Sequence, residues 1–487
     1  MTEGNTNGAR DRAKRLQPDF ETVLDAHFTQ LVTSPTFPVP GLVVLARRGS
    51  DIYHRAFGVS DLETRAPMRT DAMFRMYSMT KVLTSFVALR LYEDGLLAFD
   101  DPVSDYIPSF GRTWNIAVDS EDGPDRIDYC SFLSGKTATY DYRLIPAREP
   151  IRIKHLMSET SGIEYDLFSE YEVLFGGGIS GRTNGIVANA LRQNIHPDVY
   201  RSTAILGADL TLAQFVDTIA AAGVLTCEPG EFSYGHGATV LGRVLEVVYE
   251  RQHGVFKRFA EIMHELLFQP LGMRNAVFHL HDEDPRQKLI PTLYGAMLEA
   301  DGQTVRIARE ENCLPSTGQP ITNQTAHSQG PRTYDSGDTG SLMTASDYAR
   351  FYDMLLAEGV APSGERLLSA QGVRTLCKGR FTGLRLDVPL ASAFGVAGDA
   401  SPFARSFNFG WATAHGDNHH STGYAPSDHY DMCHWGGYAA TQGFFYLNED
   451  AYMLVCPQMM LTTVGGFLHA QPLIRDASMA AFHRTWR

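Results

Sequence analysis

The sequence predicts a mixed α+β fold in which strands from both chain ends form one antiparallel sheet flanked by helices. Two observations support this prediction. Short strand-like runs rich in Val, Leu, Tyr and Phe occur near both ends, at 41–46, 52–57, 430–435, 443–447 and 452–456. The chain between them shows mostly helical apolar spacing. We therefore expect an α/β domain built from both termini and a separate, mostly helical lobe.

Local patterns predict the other elements in chain order. Apolar spacing predicts an amphipathic helix over 20–32, and Arg-Arg-Gly-Ser-Asp at 47–51 predicts a hairpin turn. An apolar run from Ser78 predicts a helix that ends at Gly95. Further helices are expected over 212–222, 239–250, 256–268, 345–358, 365–377 and 468–484. The α/β domain would then comprise 1–99 and 336–487, and the lobe, with long insertions, 100–335.

Composition limits the classes of function. The chain has 487 residues, 44% of them hydrophobic, which is enough for a large core. Lys plus Arg number 42 against 56 Asp plus Glu, giving a formal charge of −14. A net acid of this size argues against a nucleic-acid or anionic-membrane binder, since both depend on basic patches. We expect a small-molecule substrate, no nucleic-acid or membrane partner, and leave the oligomeric state open.

The sequence shows no recognisable secretory or membrane segment, and this observation together with the cysteine spacing leads us to expect an intracellular protein. No apolar run approaches the roughly 20 residues of a membrane helix. Residues 1–19 are polar and lack the apolar segment of a secretory signal. The 6 cysteines form no Cys-x-x-Cys pair, which fits free thiols in a reduced compartment. The expected location is cytoplasmic.

The segment Phe74-Arg-Met-Tyr-Ser-Met-Thr-Lys81 is the sharpest local signal for chemistry. It places Ser78 and Lys81 three residues apart, on one face of the predicted helix, so that the ammonium can reach the hydroxyl. A serine at a helix N-terminus also lies among unpaired backbone N–H groups that favour developing negative charge. Nucleophilic catalysis needs a base beside the serine, but Ser-x-x-Lys alone is usually only a helix cap.

The sequence around this tetrapeptide carries a family resemblance. Ser-Met-Thr-Lys is followed by Leu91-Tyr-Glu-Asp-Gly-Leu-Leu and Asp100-Asp-Pro-Val-Ser-Asp-Tyr-Ile-Pro, which resembles the serine β-lactamase and penicillin-binding-protein superfamily. The similarity is closest to class C β-lactamases and family VIII carboxylesterases. Other landmarks follow in the family's order: 155–163 (similar to its LL-HTSGL segment), 228–236, 269–273, 340–350 and 434–438. Matches over about residues 40–480 imply the β-lactamase/transpeptidase-like fold.

The second family motif is Tyr-x-Asn in class C enzymes and reads Tyr234-Gly235-His236 here. The resemblance implies that Tyr234 faces Ser78 and Lys81. A phenol beside an ammonium should have a lowered pKa and can then serve as general base and later as general acid. His236 replaces the asparagine, and we expect it either to bind substrate, to orient Lys81 or to be structural.

The third motif is Lys-Thr-Gly in most of the family, whereas this chain has Trp435-Gly436-Gly437. Glycines at a strand edge let a substrate approach the backbone. The resemblance implies that the backbone N–H groups of Ser78 and Tyr438 form an oxyanion hole, worth about 3 kcal/mol per donor. Trp435 provides an apolar wall instead of a cation, which favours an ester, or an amide, without a required carboxylate. A register shifted by one would make His434 the lysine substitute.

Other signals are weaker. The histidines and aspartates of 415–434 are metal-ligand types, but their loop spacing favours a solvated loop, and we expect no metal. Tyr165, after Ser161-Gly162, is a candidate cleft residue. The sequence has no Gly-x-Ser-x-Gly elbow and no phosphate-binding Gly-x-x-x-x-Gly-Lys loop.

These observations favour a cofactor-free serine hydrolase that cleaves a carboxylic ester, with an amide as the alternative substrate. The reaction would proceed through an acyl-enzyme on Ser78, with Lys81 and Tyr234 moving protons. Three alternatives remain open. One is a β-lactamase or D-alanyl peptidase with the same first step. A second is an acyltransferase of the same fold, and a third is a catalytically silent binding protein. The retention of Ser78, Lys81 and Tyr234 together argues against the third.

Overall fold

The structure is a computed structural model, and it describes residues 15–35, 39–119, 142–163, 211–225, 227–281, 283–298, 305–309, 335–378, 381, 407–414, 431–460 and 471–486. Its strands are β1 (Gly41–Arg48), β2 (Asp51–Gly58), β3 (Met73–Arg75), β4 (Asn115–Asp119), β5 (Tyr142–Pro146), β6 (Val224–Leu225), β7 (Tyr294–Leu298), β8 (Val305–Arg309), β9 (Leu342–Thr344), β10 (Phe407–Asn408), β11 (Trp411–Ala414), β12 (Met432–Gly436), β13 (Gln442–Tyr446), β14 (Ala451–Pro457) and β15 (Met459–Met460).

The main sheet joins the two chain ends. Among the described residues it has seven strands in the order β10-β11-β12-β13-β14-β1-β2, and every neighbouring pair is antiparallel. The N-terminal hairpin β1–β2 is hydrogen-bonded to β14 from the C-terminal part, with Val44 opposite Val455. The prediction of an antiparallel sheet assembled from both termini is confirmed.

The helices are α1 (Phe20–Thr33), α2 (Thr80–Glu93), α3 (Ile153–Met157), α4 (Leu212–Ala222), α5 (Gly237–His253), α6 (Phe259–Met263), α7 (Gln269–Leu271), α8 (Ala345–Leu356), α9 (Ala370–Lys378) and α10 (Ala477–Arg484). Short 3-10 turns occur at Tyr77–Met79, Val103–Asp105, Pro108–Phe110, Pro285–Leu289 and Leu447–Glu449, and π-helical turns at His264–Phe268 and Gln471–Asp476. Within these residues, no helix is both long and apolar enough to span a membrane.

Helices cover both faces of the main sheet. On β13, Phe445 packs against Tyr352 of α8, whereas the next residue, Tyr446, packs against Phe482 of α10. Because successive strand residues point to opposite faces, α8 and α10 lie on opposite sides of the sheet. Trp435 of β12 lies opposite Gly443 and so shares the α8 face with Phe445.

A small two-stranded pair fixes the start of α2. Strand β3 pairs antiparallel with β9, with Phe74 opposite Met343. Strand β3 leads directly into Tyr77–Met79 and α2, and β9 directly follows the buried segment 335–341. This pairing brings two segments more than 250 residues apart in sequence to one place, a distance that local patterns do not bridge.

Three of the predicted helices differ from the described structure in their bounds or in their regularity. Helix α9 begins at Ala370 rather than 365, because the backbone at Arg366 forms a bridge with Val360. The predicted closing helix from 468 contains a π-helical turn at Gln471–Asp476 before α10 begins. The helix predicted over 256–268 is likewise divided between α6 and a π-helical turn.

Candidate active site

Ser78 lies in the 3-10 turn Tyr77–Met79, immediately before α2 begins at Thr80. Its side chain is nearly buried, with 9% of the residue exposed. The preceding residue, Tyr77, has a φ of +45°, in the left-handed region that bulky residues rarely adopt. A strained residue of this kind costs about 1–3 kcal/mol and persists when its surroundings hold it, as they often do at functional sites. Ser78 therefore lies, as predicted, at the N-terminal end of an apolar helix.

Lys81 is fully buried in the first turn of α2. Its Nζ donates to Asp338 Oδ1 at 3.0 Å and to the carbonyl of Gly235 at 3.2 Å, and lies 3.5 Å from Glu159 Oε1. Burial alone would lower the pKa of this ammonium. The negative charges of Asp338 and Glu159 outweigh that effect and raise the pKa above its ordinary value, so Lys81 is an ammonium.

Tyr234 brings the second motif against the first. Its phenol is hydrogen-bonded to the side chain of Ser78 and accepts a hydrogen bond from Nε1 of Trp435 at 2.9 Å. The Nζ of Lys81 lies 4.8 Å from the centroid of the tyrosine ring. The structure thus brings together Ser78, Lys81, Tyr234 and Trp435, which the sequence places in three distant segments.

The expectation that the pKa of Tyr234 is lowered is wrong. Burial, the largest influence, raises the pKa of the phenol above its ordinary value, and the nearby charge of Glu159 raises it further. The Lys81 ammonium and the hydrogen bonds from Ser78 and Trp435 act in the opposite direction but do not offset the burial. The resting tyrosine is therefore a neutral phenol.

Asp338 links Lys81 to His236. This aspartate is completely buried and accepts a hydrogen bond from the backbone N–H of Thr239 at 3.0 Å, in addition to the one from Lys81. Its Oδ2 lies 3.2 Å from Nδ1 of His236. Burial opposes ionisation of Asp338, but Lys81 and His236 outweigh it and lower the pKa of the carboxyl. His236 therefore reaches Lys81 through an ionised aspartate.

Glu159 is a second buried carboxylate beside Lys81, and only 1% of the residue is exposed. Its Oε2 accepts a hydrogen bond from the backbone N–H of Gly235 at 2.7 Å, and its own carbonyl accepts one from the N–H of Ser233 at 2.7 Å. Burial raises the pKa of this carboxyl, and the charge of Asp338 acts in the same direction, against the opposing effect of Lys81.

Sequence reasoning missed Glu159 and Asp338. For Glu159 a signal existed, because it occupies the position of the histidine in the family's HTSG segment. Asp338 stands two residues before Gly340, where the matched segment 340–350 begins, and no local pattern singles it out. Both residues can be recognised as parts of the site only from the fold, which places their carboxylates beside Lys81.

The third motif lies at the end of β12, where the backbone of Gly437 approaches the turn that carries Ser78. A Cβ added to Gly437 would lie 2.2 Å from Oγ1 of Thr441 and 2.4 Å from the carbonyl of Met76, two residues before Ser78. Only glycine permits this approach. A Cβ added to the neighbouring Gly436 would lie 2.8 Å from the side chain of Gln442. The role of the Tyr438 N–H in an oxyanion hole stays a prediction.

His434 points away from the site. It precedes Trp435 on β12 and so faces the opposite side of the sheet, where Nε2 lies 3.0 Å from Oε1 of Gln442 and the ring stacks on Phe444. Burial lowers the pKa of His434 to about 3. A buried neutral imidazole cannot replace the lysine of the third motif, so the shifted register with His434 as substitute is wrong.

Two sequence-based candidates fall outside the described residues. Tyr165 lies in the undescribed 164–210, and 415–430, most of the histidine-rich segment, is also undescribed. Among the residues that the structure does describe, no group of three or more His, Cys, Asp or Glu side chains could hold a metal ion.

Similarity to known proteins agrees with the arrangement of Ser78, Lys81 and Tyr234 in the structure. A family model described as Beta-lactamase matches residues 24–456. The esterase EstB of Burkholderia gladioli is 26% identical over 359 residues, which cover 72% of this chain and 76% of that protein.

Two solved structures share the fold. EstCE1, described as a hydrolase with promiscuous acyltransferase activity, has a TM-score of 0.62 at 20% identity, over 94% of this chain and 98% of its own. Unliganded simvastatin synthase LovD of Aspergillus terreus has a TM-score of 0.63 at 18% identity, over 96% of this chain and 98% of its own. At such identities these two likenesses establish the architecture alone.

Proposed function

The chain belongs to the Beta-lactamase family, and from that membership we propose that it is a serine esterase that works through an acyl-enzyme on Ser78. The hydrogen bond between the Ser78 hydroxyl and the Tyr234 phenol, with the Lys81 ammonium 4.8 Å from the phenol ring, is the observation that carries the proposal. A serine hydroxyl is a poor nucleophile until a neighbouring group accepts its proton. Tyr234 is the hydrogen-bonded partner in position to do so.

In the proposed acylation step, the phenolate form of Tyr234 takes the Ser78 proton as Oγ bonds to the substrate carbonyl carbon. The carbonyl oxygen becomes an oxyanion, which accepts hydrogen bonds from the backbone N–H groups of Ser78 and Tyr438. The phenol then returns its proton to the departing alkoxide as the ester C–O bond breaks. In deacylation, water adds to the acyl carbon while the Tyr234 phenolate takes its proton. The bond between Ser78 Oγ and the acyl carbon then breaks, Tyr234 returns the proton to Oγ, and the carboxylic acid is released.

Lys81 and Trp435 act on the phenolate in this proposal. Burial makes the phenolate a minor form, so any group that stabilises it raises the rate. The Lys81 charge and the hydrogen bond from the Trp435 indole at 2.9 Å both favour the phenolate over the phenol. Trp435 therefore contributes a polar contact as well as the apolar wall expected from the sequence.

The surroundings of Trp435 support an ester substrate without a required carboxylate. The indole packs edge-on against Phe407 with ring centroids 4.6 Å apart, and Phe407 packs in turn against Phe232. An aromatic wall of this kind accommodates apolar acyl or alcohol groups. The family's lysine, which would bind the carboxylate of a β-lactam or peptide, is absent from this position. Similarity to an esterase, EstB, points to the same substrate class.

Acyl transfer to an alcohol is the second candidate. It is favoured by the likeness to EstCE1 and to simvastatin synthase, both named for acyltransferase or synthase activity. The acyl-enzyme would be the same, and the outcome would depend on whether water or an alcohol reaches it first. Product analysis with and without an added alcohol separates the two.

The test is covalent labelling of Ser78. A fluorophosphonate probe should form one adduct, located at Ser78 by peptide mass spectrometry, and p-nitrophenyl butyrate should be hydrolysed faster than nitrocefin. Ser78→Ala should lose the adduct and at least about 1000-fold of the esterase activity. Ser85, a buried serine in α2, provides the matched control, and Ser85→Ala should retain both the adduct and the activity. Undiminished turnover by Ser78→Ala would refute the proposal, and faster nitrocefin turnover would reassign it to β-lactam hydrolysis.

A further inference from the structure

We propose that Glu159 is a positioning residue that holds the proton-transfer pair, Lys81 and Tyr234, in one fixed arrangement. The inference rests on the proposed acyl-enzyme function and deepens it. Glu159 stands where the family's HTSG segment has histidine, so the motif itself does not supply this carboxylate.

Glu159 brackets Tyr234 along the chain. Its backbone carbonyl accepts a hydrogen bond from the N–H of Ser233, and its carboxylate Oε2 accepts one from the N–H of Gly235, both at 2.7 Å. The residues immediately before and after Tyr234 are thus fixed by one glutamate. A tyrosine whose two neighbours are held has little freedom to move its backbone, and its phenol is placed accordingly.

The other carboxylate oxygen connects this bracket to Lys81. Oε1 of Glu159 lies 3.5 Å from Nζ of Lys81, and the carbonyl of Gly235 accepts a hydrogen bond from the same Nζ at 3.2 Å. A carboxylate with one oxygen toward an ammonium and the other on a backbone N–H couples the positions of the two. A single side chain therefore sets where both members of the pair lie.

The backbone of Glu159 shows that this placement is imposed by its surroundings. Its φ is +52°, in the left-handed region that is unfavourable for a glutamate. Adjacent hydrogen bonds hold it there: the N–H of Gly230 donates to Thr160 at 2.8 Å, and the N–H of Gly162 donates to Ser233 Oγ at 2.8 Å. Strain that is over-determined in this way is characteristic of positions that serve a site.

The charged groups facing Glu159 make two opposite predictions for its removal. These groups are Lys81 on α2, Tyr234 on the second-motif segment and Asp338 on 335–341, with His236 behind Asp338. Neutralising Glu159 removes a negative charge beside the phenol, which alone would favour the phenolate and raise reactivity. Losing the ionic contact between Oε1 and the Lys81 ammonium uncouples Lys81 from the bracket and displaces it relative to the phenol, which lowers reactivity. Of the two opposing effects, the displacement is the larger.

The experiment measures the rate of fluorophosphonate labelling at Ser78 across pH in Glu159→Gln. Glutamine keeps the size and can still accept the Gly235 N–H, but it presents no charge to Lys81. We expect the maximal labelling rate to fall by about 100-fold while the probe concentration for half-maximal rate changes little. Because burial raises the pKa of Glu159, the wild-type rate should fall more steeply with decreasing pH than that of Glu159→Gln.

Glu246→Gln is the matched control. Glu246 is also a buried glutamate whose pKa is raised by burial, and it too accepts one backbone N–H, from Phe259 at 3.0 Å, and one cationic side chain, Arg243 at 2.9 Å. It lies in the middle of α5 and contacts none of the proposed catalytic groups in the described residues. Its substitution should leave the labelling rate and its pH dependence unchanged.

The outcomes separate this inference from the function on which it rests. If the wild type is not labelled at Ser78, the proposed function and the inference both fall. If the wild type is labelled and Glu159→Gln reacts equally fast or faster, or with the same pH dependence, the function stands and the inference is overturned. Should Glu159→Gln fail to fold, the pH dependence of the wild-type labelling rate decides. If the logarithm of that rate falls with one constant slope below neutral pH, without a steeper region where Glu159 becomes protonated, the inference is overturned.

Discussion

Two charge clusters occupy opposite ends of the short segment 335–338, and each combines a buried aspartate, a buried glutamate and a histidine with a cationic side chain. The site cluster contains Asp338, Glu159, Lys81 and His236. The arginine cluster contains Asp335, Glu246, Arg258, Arg243 and His279. In each, a buried aspartate accepts a hydrogen bond from a backbone N–H in the first turn of a helix, at Thr239 for Asp338 and at Ala260 for Asp335.

The clusters differ in how their carboxylates are balanced. In the arginine cluster each carboxylate has its own guanidinium: Arg258 lies 2.6 Å from Asp335, and Arg243 lies 2.9 Å from Glu246. In the site cluster Lys81 faces both Asp338 and Glu159. A guanidinium remains charged at any accessible pH, whereas a buried lysine and an under-neutralised glutamate respond to their surroundings.

This difference separates a structural cluster from a responsive one. The arginine cluster ties α5 and α6 to the segment 335–338 and contacts neither Ser78 nor Tyr234 among the described residues. The site cluster holds the same segment, but its cation lies against the ring of Tyr234. We therefore expect substitutions in the first to change the free energy of unfolding and those in the second to change turnover.

Among the substitutions that compare the two clusters, Asp338→Asn should have the largest effect on turnover. Asparagine can still accept the Thr239 N–H but removes the charge that holds Lys81 most closely. Losing one partner of a buried ion pair should lower kcat/KM for p-nitrophenyl butyrate by about 100-fold. Steady-state kinetics on the folded variant, checked by circular dichroism, would measure it.

The opposite result would show that both clusters have the same, purely structural role. This would be the case if Asp338→Asn kept the wild-type kcat/KM and only lowered the free energy of unfolding. The proposed role of Lys81 in stabilising the phenolate would then lose its support.

Asp335→Asn should show the reverse behaviour with a smaller effect. The variant leaves Arg258 and His279 facing a neutral amide, and about a third of the Arg258 side chain is exposed, so water compensates in part. We expect the free energy of unfolding, from urea titration, to fall by about 2 kcal/mol and kcat/KM to stay within about twofold. A kinetic loss comparable with that of Asp338→Asn would show that the two clusters are coupled through 335–338.

Elements of the fold were predictable from the sequence where local interactions decide their bounds. Elements with local causes were predicted well: the helix 212–222 agrees with α4 (Leu212–Ala222), and the hairpin at 47–51 agrees with the turn between β1 and β2. The start of α9 was missed because a backbone bridge at Val360 and Arg366, and not the apolar pattern, decides it. Family membership and the mixed α+β fold are confirmed.

The site was predicted where motifs exist and missed where they do not. Ser78, Lys81, Tyr234 and Trp435 belong to ordered motifs, and the structure brings them together. Asp338 is 257 residues from Lys81, so no spacing could connect the two. The pKa of Tyr234 was assigned the wrong direction because the sequence shows its neighbour's charge but not its burial.

The two histidines give the smallest and most discriminating test. His236 lies 3.2 Å from Asp338 with 14% of its side chain exposed, and His279 lies 2.6 Å from Asp335 with 16% exposed, so burial does not distinguish them. Each makes one contact with a buried carboxylate, and because the histidines are partly exposed this contact should contribute about 1 kcal/mol to the free energy of unfolding.

His236→Asn introduces the residue of the family's second motif and should lower kcat/KM by about fivefold with little change in the free energy of unfolding. His279→Asn should lower the free energy of unfolding by about 1 kcal/mol and leave kcat/KM unchanged. Equal effects of both substitutions on either measurement would mean that contact with the carboxylate, and not proximity to Tyr234, decides what each histidine does.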